Sequence, residues 1–143
     1  MVLDASALVA AVCPEEFSEW AAGWVRSPRV VHVLTLTHYE AYNAIWRKAV
    51  LLGELTPEEA RRAASLIDDM LSGCMIHPFS EVREATMKAA LETGLTVYDS
   101  AYLALALRVG APLVTTDDRI RRRLGRELRD LVITPTSASR RSP

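Results

Sequence analysis

The sequence contains no glutamine and a single asparagine, Asn43, and its two lysines stand against fifteen arginines. Depletion of thermolabile amides fits a thermophilic source, and the arginine bias fits a GC-rich genome equally well. Cysteine is scarce. Cys13 and Cys74 lack the Cys/His spacing of a zinc knuckle, which excludes that kind of structural metal. They read either as two small buried apolar residues or as a disulfide of the sort tolerated inside hyperthermophile cells. No apolar run approaches the ~20 residues that span a bilayer, so no membrane partner is expected. The chain opens on Met1-Val2-Leu3-Asp4 without a basic and then apolar leader, which makes a cytoplasmic protein the expectation. Net charge is almost absent, with 18 acidic and 17 basic side chains and a formal charge of -1. That excludes binding of nucleic acid by bulk electrostatics alone.

What is present is a one-domain globular composition: 143 residues, of which 50% are hydrophobic and 24% charged. Short apolar segments alternate with amphipathic ones. Strands are predicted at Val2-Leu3, Val30–Leu34, Met75-Ile76, Pro112–Thr115 and Leu131–Ile133. A first helix is predicted to open at Pro14-Glu15-Glu16 and run to Arg26. Further helices are predicted from Thr35 or Thr37 to Leu52, from Thr56 to Ser72, from Ser80 to Glu92, from Tyr98 to Val109, and from Asp117 to Leu128. The start at Thr56 is the strongest, with a threonine cap, Pro57 next, and Glu59 at the capping-box position. No repeat or linker divides the chain. A single domain over 1–134 is expected, with a mobile basic tail over 135–143 rich in Ser, Thr, Arg and Pro. Alternating strands and helices predict an α/β fold: a parallel sheet of about four to five short strands with helices on both faces. Ligands of such folds sit outside the carboxyl ends of the strands.

Several acids fall there. Asp4 follows the first strand, Asp117 and Asp118 follow the strand ending at Thr115, and Asp99 opens the helix before that strand. Asp4, Asp99 and Asp117 each have a structural explanation, because aspartate is a favoured N-cap. Glu40 has none of that kind. Steps of three and four through its helix give Leu36, Tyr39, Glu40, Asn43, Trp46, Ala49 and Val50, the apolar stripe that is predicted to be buried. A buried carboxylate suffers desolvation unless a cation or donor relieves it, and the one asparagine lies a turn away on the same face. The alternative is that Glu40 leans out to solvent. Clustered carboxylates call for a hard divalent cation, Mg²⁺ or Mn²⁺. His32, His38 and His77 are scattered and form no ligand pair.

Four segments carry a resemblance: Leu3-Asp4-Ala5-Ser6-Ala7-Leu8; Glu40 with Asn43; Tyr98-Asp99-Ser100-Ala101-Tyr102-Leu103-Ala104-Leu105-Ala106; and Leu113-Val114-Thr115-Thr116-Asp117. In this order they resemble the signature segments of PIN-domain nucleases, and the small single-domain form resembles the VapC toxins of toxin–antitoxin pairs. The resemblance implies a PIN-like fold and a catalytic Mg²⁺ or Mn²⁺ site built from Asp4, Glu40, Asp99 and Asp117, with Ser6, Asn43 and Thr115 in support. It implies metal-dependent endoribonuclease activity on an RNA substrate, a homodimer, and a small antitoxin seated in a groove between the first two helices. The last segment offers two adjacent acids. Asp117 fits the Thr-x-Asp spacing, which leaves Asp118 as a solvent-facing helix start.

The small net charge hides a gradient: residues 1–107 carry net -6 and residues 108–143 carry net +5. On one continuous helix after Asp117, Arg119, Arg122, Arg126 and Arg129 would form a basic row. Arg119, Arg122 and Arg126 are therefore candidates to hold RNA phosphates beside the acidic site, against the alternative of a solvated helix face. Trp20, Trp24, Tyr39 and Trp46 have core-like helical spacings, which fit a core or a partner groove better than base stacking. Phosphotransfer enzymes of the haloacid-dehalogenase type need Asp-x-Asp and a lysine near a strand end, and neither is present. A PIN-type RNA-processing nuclease that is not a toxin and a non-catalytic RNA- or partner-binding module remain as alternatives.

Overall fold

The five strands of this protein are two or three residues long, and neighbouring side chains on each point to opposite faces of the sheet. They are β1 (Val2–Leu3), β2 (His32–Leu34), β3 (Met75–His77), β4 (Leu113–Val114) and β5 (Val132–Ile133). The structure, a computed structural model, describes residues 1–136, so most of the expected basic tail lies outside the described residues. All pairings are parallel, in the order β3-β2-β1-β4-β5. Leu3, Val33, Val114 and Ile133 face one core, and Val2, Leu34, Leu113 and Val132 face the other. Both faces are apolar because both are covered by helices, as the sequence predicted.

The first face is covered by α1 (Ala5–Val12), α2 (Ser18–Val25), α3 (Leu36–Trp46) and α4 (Pro57–Ser72). The second carries α5 (Arg83–Thr93), α6 (Val97–Val109) and α7 (Asp118–Arg123), with α8 (Arg126–Arg129) following before β5. Residues Ser100–Ala106 of α6 are all buried, so this helix is the central member of its layer. At α4 the predicted capping box forms in full, with Thr56 accepting from the Glu59 amide and Glu59 accepting from the Thr56 amide. Gly94 and Gly110 close α5 and α6 in the left-handed conformation, at φ 68° and 63°.

Four local expectations are corrected. The first helix begins at Ala5, directly after β1, and Pro14 ends it: Cys13 is extended, as a residue before proline prefers to be. The next helix starts only at Ser18. Glu15 instead pairs with Lys48, which also pairs with Glu54, at 3.0 and 2.9 Å. Ser80 caps nothing; Phe79–Glu81 is a 3₁₀ turn and α5 begins at Arg83. The predicted helix from Asp117 to Leu128 is broken at Leu124-Gly125 into α7 and α8, which interrupts the expected basic row. The fourth correction concerns α3. Its buried residues are Thr37, Ala41 and Ile45, whereas Tyr39 is 77% and Trp46 49% exposed. Thr37 and Ala41 keep the face toward α1 and α4 small, Ile45 fills it, and the aromatic Tyr39 and Trp46 face outward. The helix continues as a π-helical turn, Arg47–Leu51, which leaves Val50, Leu51 and Leu52 exposed. Cys13 and Cys74 are both free thiols.

Candidate active site

The strand order reverses between β1 and β4, and the carboxyl ends of those two strands deliver Asp4 and the segment Thr115–Asp117 to one place. Asp4 caps α1: its Oδ1 accepts from the Ala7 amide at 3.0 Å and from the Ser6 hydroxyl at 2.7 Å. Asp117 caps α7 by accepting from the Arg119 amide. The capping explanation and the site explanation therefore hold together for these two. For Asp99 the cap is Thr96, whose hydroxyl accepts from the Asp99 amide and donates to its carboxylate at 2.8 Å. Glu40 leaves α3 at the border of its exposed face and is half-buried, not core-facing. Together Asp4, Glu40, Asp99 and Asp117 line one cleft of about 370 Å³, with Ser6, Asn43, Arg47, Tyr102 and Arg119.

Two hydrogen-bond chains run from the sheet ends into this cleft. In the first, the Leu34 amide donates to Thr37 Oγ1, Thr37 meets the Tyr102 hydroxyl at 3.0 Å, and Tyr102 donates to Glu40 Oε2 at 2.6 Å. A phenol has one proton, so the Thr37 hydroxyl must donate to Tyr102. In the second, the Asp117 amide donates to Thr115 Oγ1, Thr115 and Ser6 are 3.2 Å apart, and Ser6 donates to Asp4. The same proton count makes Thr115 the donor to Ser6, which also accepts from the Thr116 amide at 3.0 Å. Each chain starts on a backbone N–H and ends on a carboxylate.

Burial nonetheless dominates the charge state. Asp4 is 6% exposed, and loss of solvent pushes its pKa up to about 6 against the pull of its donors, with Glu40 adding like-charge repulsion. Burial also raises Glu40, offset by the Tyr102 hydrogen bond and reinforced by Asp99. Asp117 moves the other way. The Arg119 guanidinium contacts both of its oxygens, at 2.7 to 3.0 Å, and holds its carboxyl below the usual range.

Asn43 is exposed but lines the cleft, and Thr115 is buried beneath it. Asp118 does start α7 but is engaged rather than solvent-facing: it accepts from the Thr134 and Thr136 hydroxyls at 2.9 and 2.7 Å and pairs with Arg122 at 3.0 Å. A second cleft of about 360 Å³ shares Asp99, Asp117 and Arg119 with the first and adds Thr96, Arg122 and Arg123. Arg126 lines neither cleft, because the break before α8 carries it away. Tyr102, Thr37 and Arg47 were given no role from sequence. Tyr102 is the second of two tyrosines in α6 and the buried one, three residues from Asp99 and inside an aliphatic run, and Arg47 continues the Glu40–Asn43 stripe by one turn. Of the aromatic set, Trp24 is core and Trp20 packs edge-on against it with ring centroids 6.3 Å apart.

As a donor set the cleft is all hard oxygen, which suits Mg²⁺ or Mn²⁺ rather than zinc. Among the described residues no three acidic, histidine or cysteine side chains close into a compact metal cage. Such openness is compatible with Mg²⁺, which keeps several waters and uses few carboxylates.

A fold with this switch point and this quartet of acids is that of the PIN domain, and the sequence model of that family matches residues 1–125. The chain belongs to the PIN domain family. It is 37% identical over 120 residues to the protein named Ribonuclease VapC3 of Pyrobaculum aerophilum, covering 84% of this chain and 91% of that one. It is 33% identical over 116 residues to the protein named Exonuclease VapC9 of the same organism, covering 81% and 79%. The crystal structure of PAE2754 from Pyrobaculum aerophilum superposes with a TM-score of 0.67 at 28% identity, over 91% of this chain and 87% of that chain. Mycobacterium tuberculosis VapC20, described as a toxin that cleaves the sarcin-ricin loop, shares the fold with a TM-score of 0.64 at 15% identity, over 83% and 91%. No helix among the described residues is long and apolar enough to cross a membrane.

Proposed function

We propose that this protein is a metal-dependent endoribonuclease of the VapC toxin type. The observation that carries the reading is the convergence of Asp4, Glu40, Asp99 and Asp117 on one cleft at the sheet's switch point. The VapC ribonucleases among its relatives support RNA as the substrate.

Asp4, Glu40, Asp99 and Asp117 would hold Mg²⁺ or Mn²⁺. When bound, the cation supplies Lewis-acid stabilisation of the phosphodiester's developing charge and acidifies the attacking water. Ser6 and Thr115 fix Asp4 through the second hydrogen-bond chain. Tyr102 fixes the half-buried Glu40, whose carboxylate would either help hold the cation or take a proton from water. Asn43 on α3 and Arg47 at the start of the π-helical turn that follows it would present a neutral donor and a cationic donor to the phosphate backbone. Arg119 and Arg122 extend that contact into the neighbouring cleft.

The exposed apolar strip Tyr39, Tyr42, Trp46, Val50, Leu51 and Leu52 is the kind of surface that soluble proteins cover with a partner. It supports both a homodimer and a small antitoxin as partners.

Incubation of the purified protein with linear and circular RNA, with Mg²⁺ or Mn²⁺ and with a chelator, tests the activity. Cleavage of the circle shows internal cutting and separates an endonuclease from an exonuclease. Undiminished, metal-dependent cutting by the Asp99→Asn protein would overturn the site.

A further inference from the structure

Among the described residues, Arg119 is the only basic side chain lining both clefts. Its guanidinium forks onto Asp117, with Nε 2.9 Å from Oδ1 and Nη2 2.7 Å from Oδ2. It also feels the negative charge of Asp99. Apart from this fork, the Arg119 side chain is 81% exposed, whereas the Asp117 carboxylate it covers is only 25% exposed. So little packing holds the arginine in place; the pairing itself does. The second cleft, lined by Arg122 and Arg123, lies directly beside it and has room for the same side chain.

We propose that Arg119 is a built-in counter-ion for the acidic cleft, competing with the divalent cation for Asp117 and released by it toward the neighbouring cleft. The inference rests on the nuclease reading and adds regulation to it. A guanidinium and a divalent ion cannot both take the Asp117 carboxylate at full strength, since each neutralises the same charge. With the cation absent, Arg119 relieves the repulsion among Asp99, Asp117 and their neighbours and keeps the cleft assembled. With the cation present, Arg119 is free to join Arg122 and Arg123, where a polynucleotide phosphate offers it a replacement partner. Cation and RNA then favour the same position of one side chain. Each tightens the binding of the other, and linkage makes the two effects equal.

Mn²⁺ binding to the full-length protein, followed by electron paramagnetic resonance without RNA at low salt, tests this directly. The Arg119→Gln protein is expected to bind Mn²⁺ roughly five- to tenfold more tightly than the parent, the scale of losing one charge-assisted pair at a partly exposed site. Arg119→Lys keeps the charge but loses the fork and is expected to fall between the two. A non-cleavable 2′-O-methyl oligonucleotide is expected to tighten Mn²⁺ binding to the parent and to do so much less for Arg119→Gln. Circular dichroism checks that the variants are folded, and Arg119 is exposed enough to be replaced without loss of core. Equal Mn²⁺ affinity in all three proteins overturns the counter-ion role and leaves the nuclease reading standing. Weaker binding by Arg119→Gln also overturns it, making Arg119 a support for the cation instead of a competitor. No Mn²⁺ binding by any of them overturns both readings.

Discussion

The Tyr102 hydroxyl donates to Glu40 at 2.6 Å, joining a buried residue of the central helix to an acid 62 residues earlier in the chain. Glu40 itself has no strand or helix terminus to hold it, so this bond sets where its carboxylate points. Tyr102→Phe leaves the ring in place but strands the Thr37 hydroxyl and frees Glu40. We expect a loss of about 1–3 kcal/mol in stability, readable as a lower melting temperature. The pH at which RNA cleavage rises should also move upward, because the bond that holds Glu40 toward its ionised form is gone. An unchanged pH profile would mean that Glu40 plays no titrating part.

Asp4 predicts an unusual pH dependence of folding. Its folded-state pKa of about 6 lies above its ordinary value of 3.8. The folded chain therefore binds this proton more tightly than the unfolded chain does. The associated stability is fully present below the ordinary value and is lost as pH rises through about 6. The loss is on the order of 3 kcal/mol for a fully buried group. With chelator present, Asp4→Asn should raise the melting temperature at pH 7.5 and change it little at pH 4, even as it abolishes cleavage. Equal effects at both pH values would contradict the assignment.

Arg122 and Arg126, two of the four arginines of the expected basic row, should behave differently. Arg122 lines the cleft beside the acids, and Arg126 does not. Replacing Arg122 with alanine should weaken RNA binding and lower the slope of log K against log salt by about 0.7 to 1. Replacing Arg126 should leave that slope nearly unchanged. Fluorescence anisotropy with labelled RNA over a salt series separates the two.

Trp46 and Val50 sit on the exposed apolar strip, so a charge there should cost little folding stability. Trp46→Glu with Val50→Glu is expected to shift the protein from dimer to monomer in light scattering. A monomeric parent would instead leave the strip to a different protein partner.

What could be read beforehand was mostly local. The Thr56–Glu59 capping box and the apolar strands are decided within a few residues and formed where expected, and the closure of α5 and α6 by Gly94 and Gly110 is just as local. Asp4, Asp99 and Asp117 were legible because each falls at the start of a helix, and Glu40 because it is an acid among apolar residues at helical spacing. The failures were decided at longer range. Thr37, Ala41 and Ile45 make a weaker apolar stripe than Tyr39, Trp46 and Val50, yet the small residues were buried because α1 and α4 pack closely there. Pro14 looked like a helix start and acted as a stop, since Asp4 had already opened a helix ahead of it. The relay through Thr37 and Tyr102 joins β2 and α3, neighbours in the chain, to α6, which lies 65 residues beyond Thr37, and no spacing rule makes that connection.

The brevity of the strands has a consequence for how the cleft at the carboxyl end of the sheet can vary. With two residues apiece, β1 and β4 place a single side chain in each core, and the following residue is the first to leave the sheet. The strand thus works as a ruler of fixed parity, and Asp4 and Thr115 are addressed by counting. One residue inserted between Val2 and Asp4 would swap the two core layers and turn the acid's position by half a pleat. A substitution changes one group of this cleft at a time, but a change of length at either strand erases its coordinates.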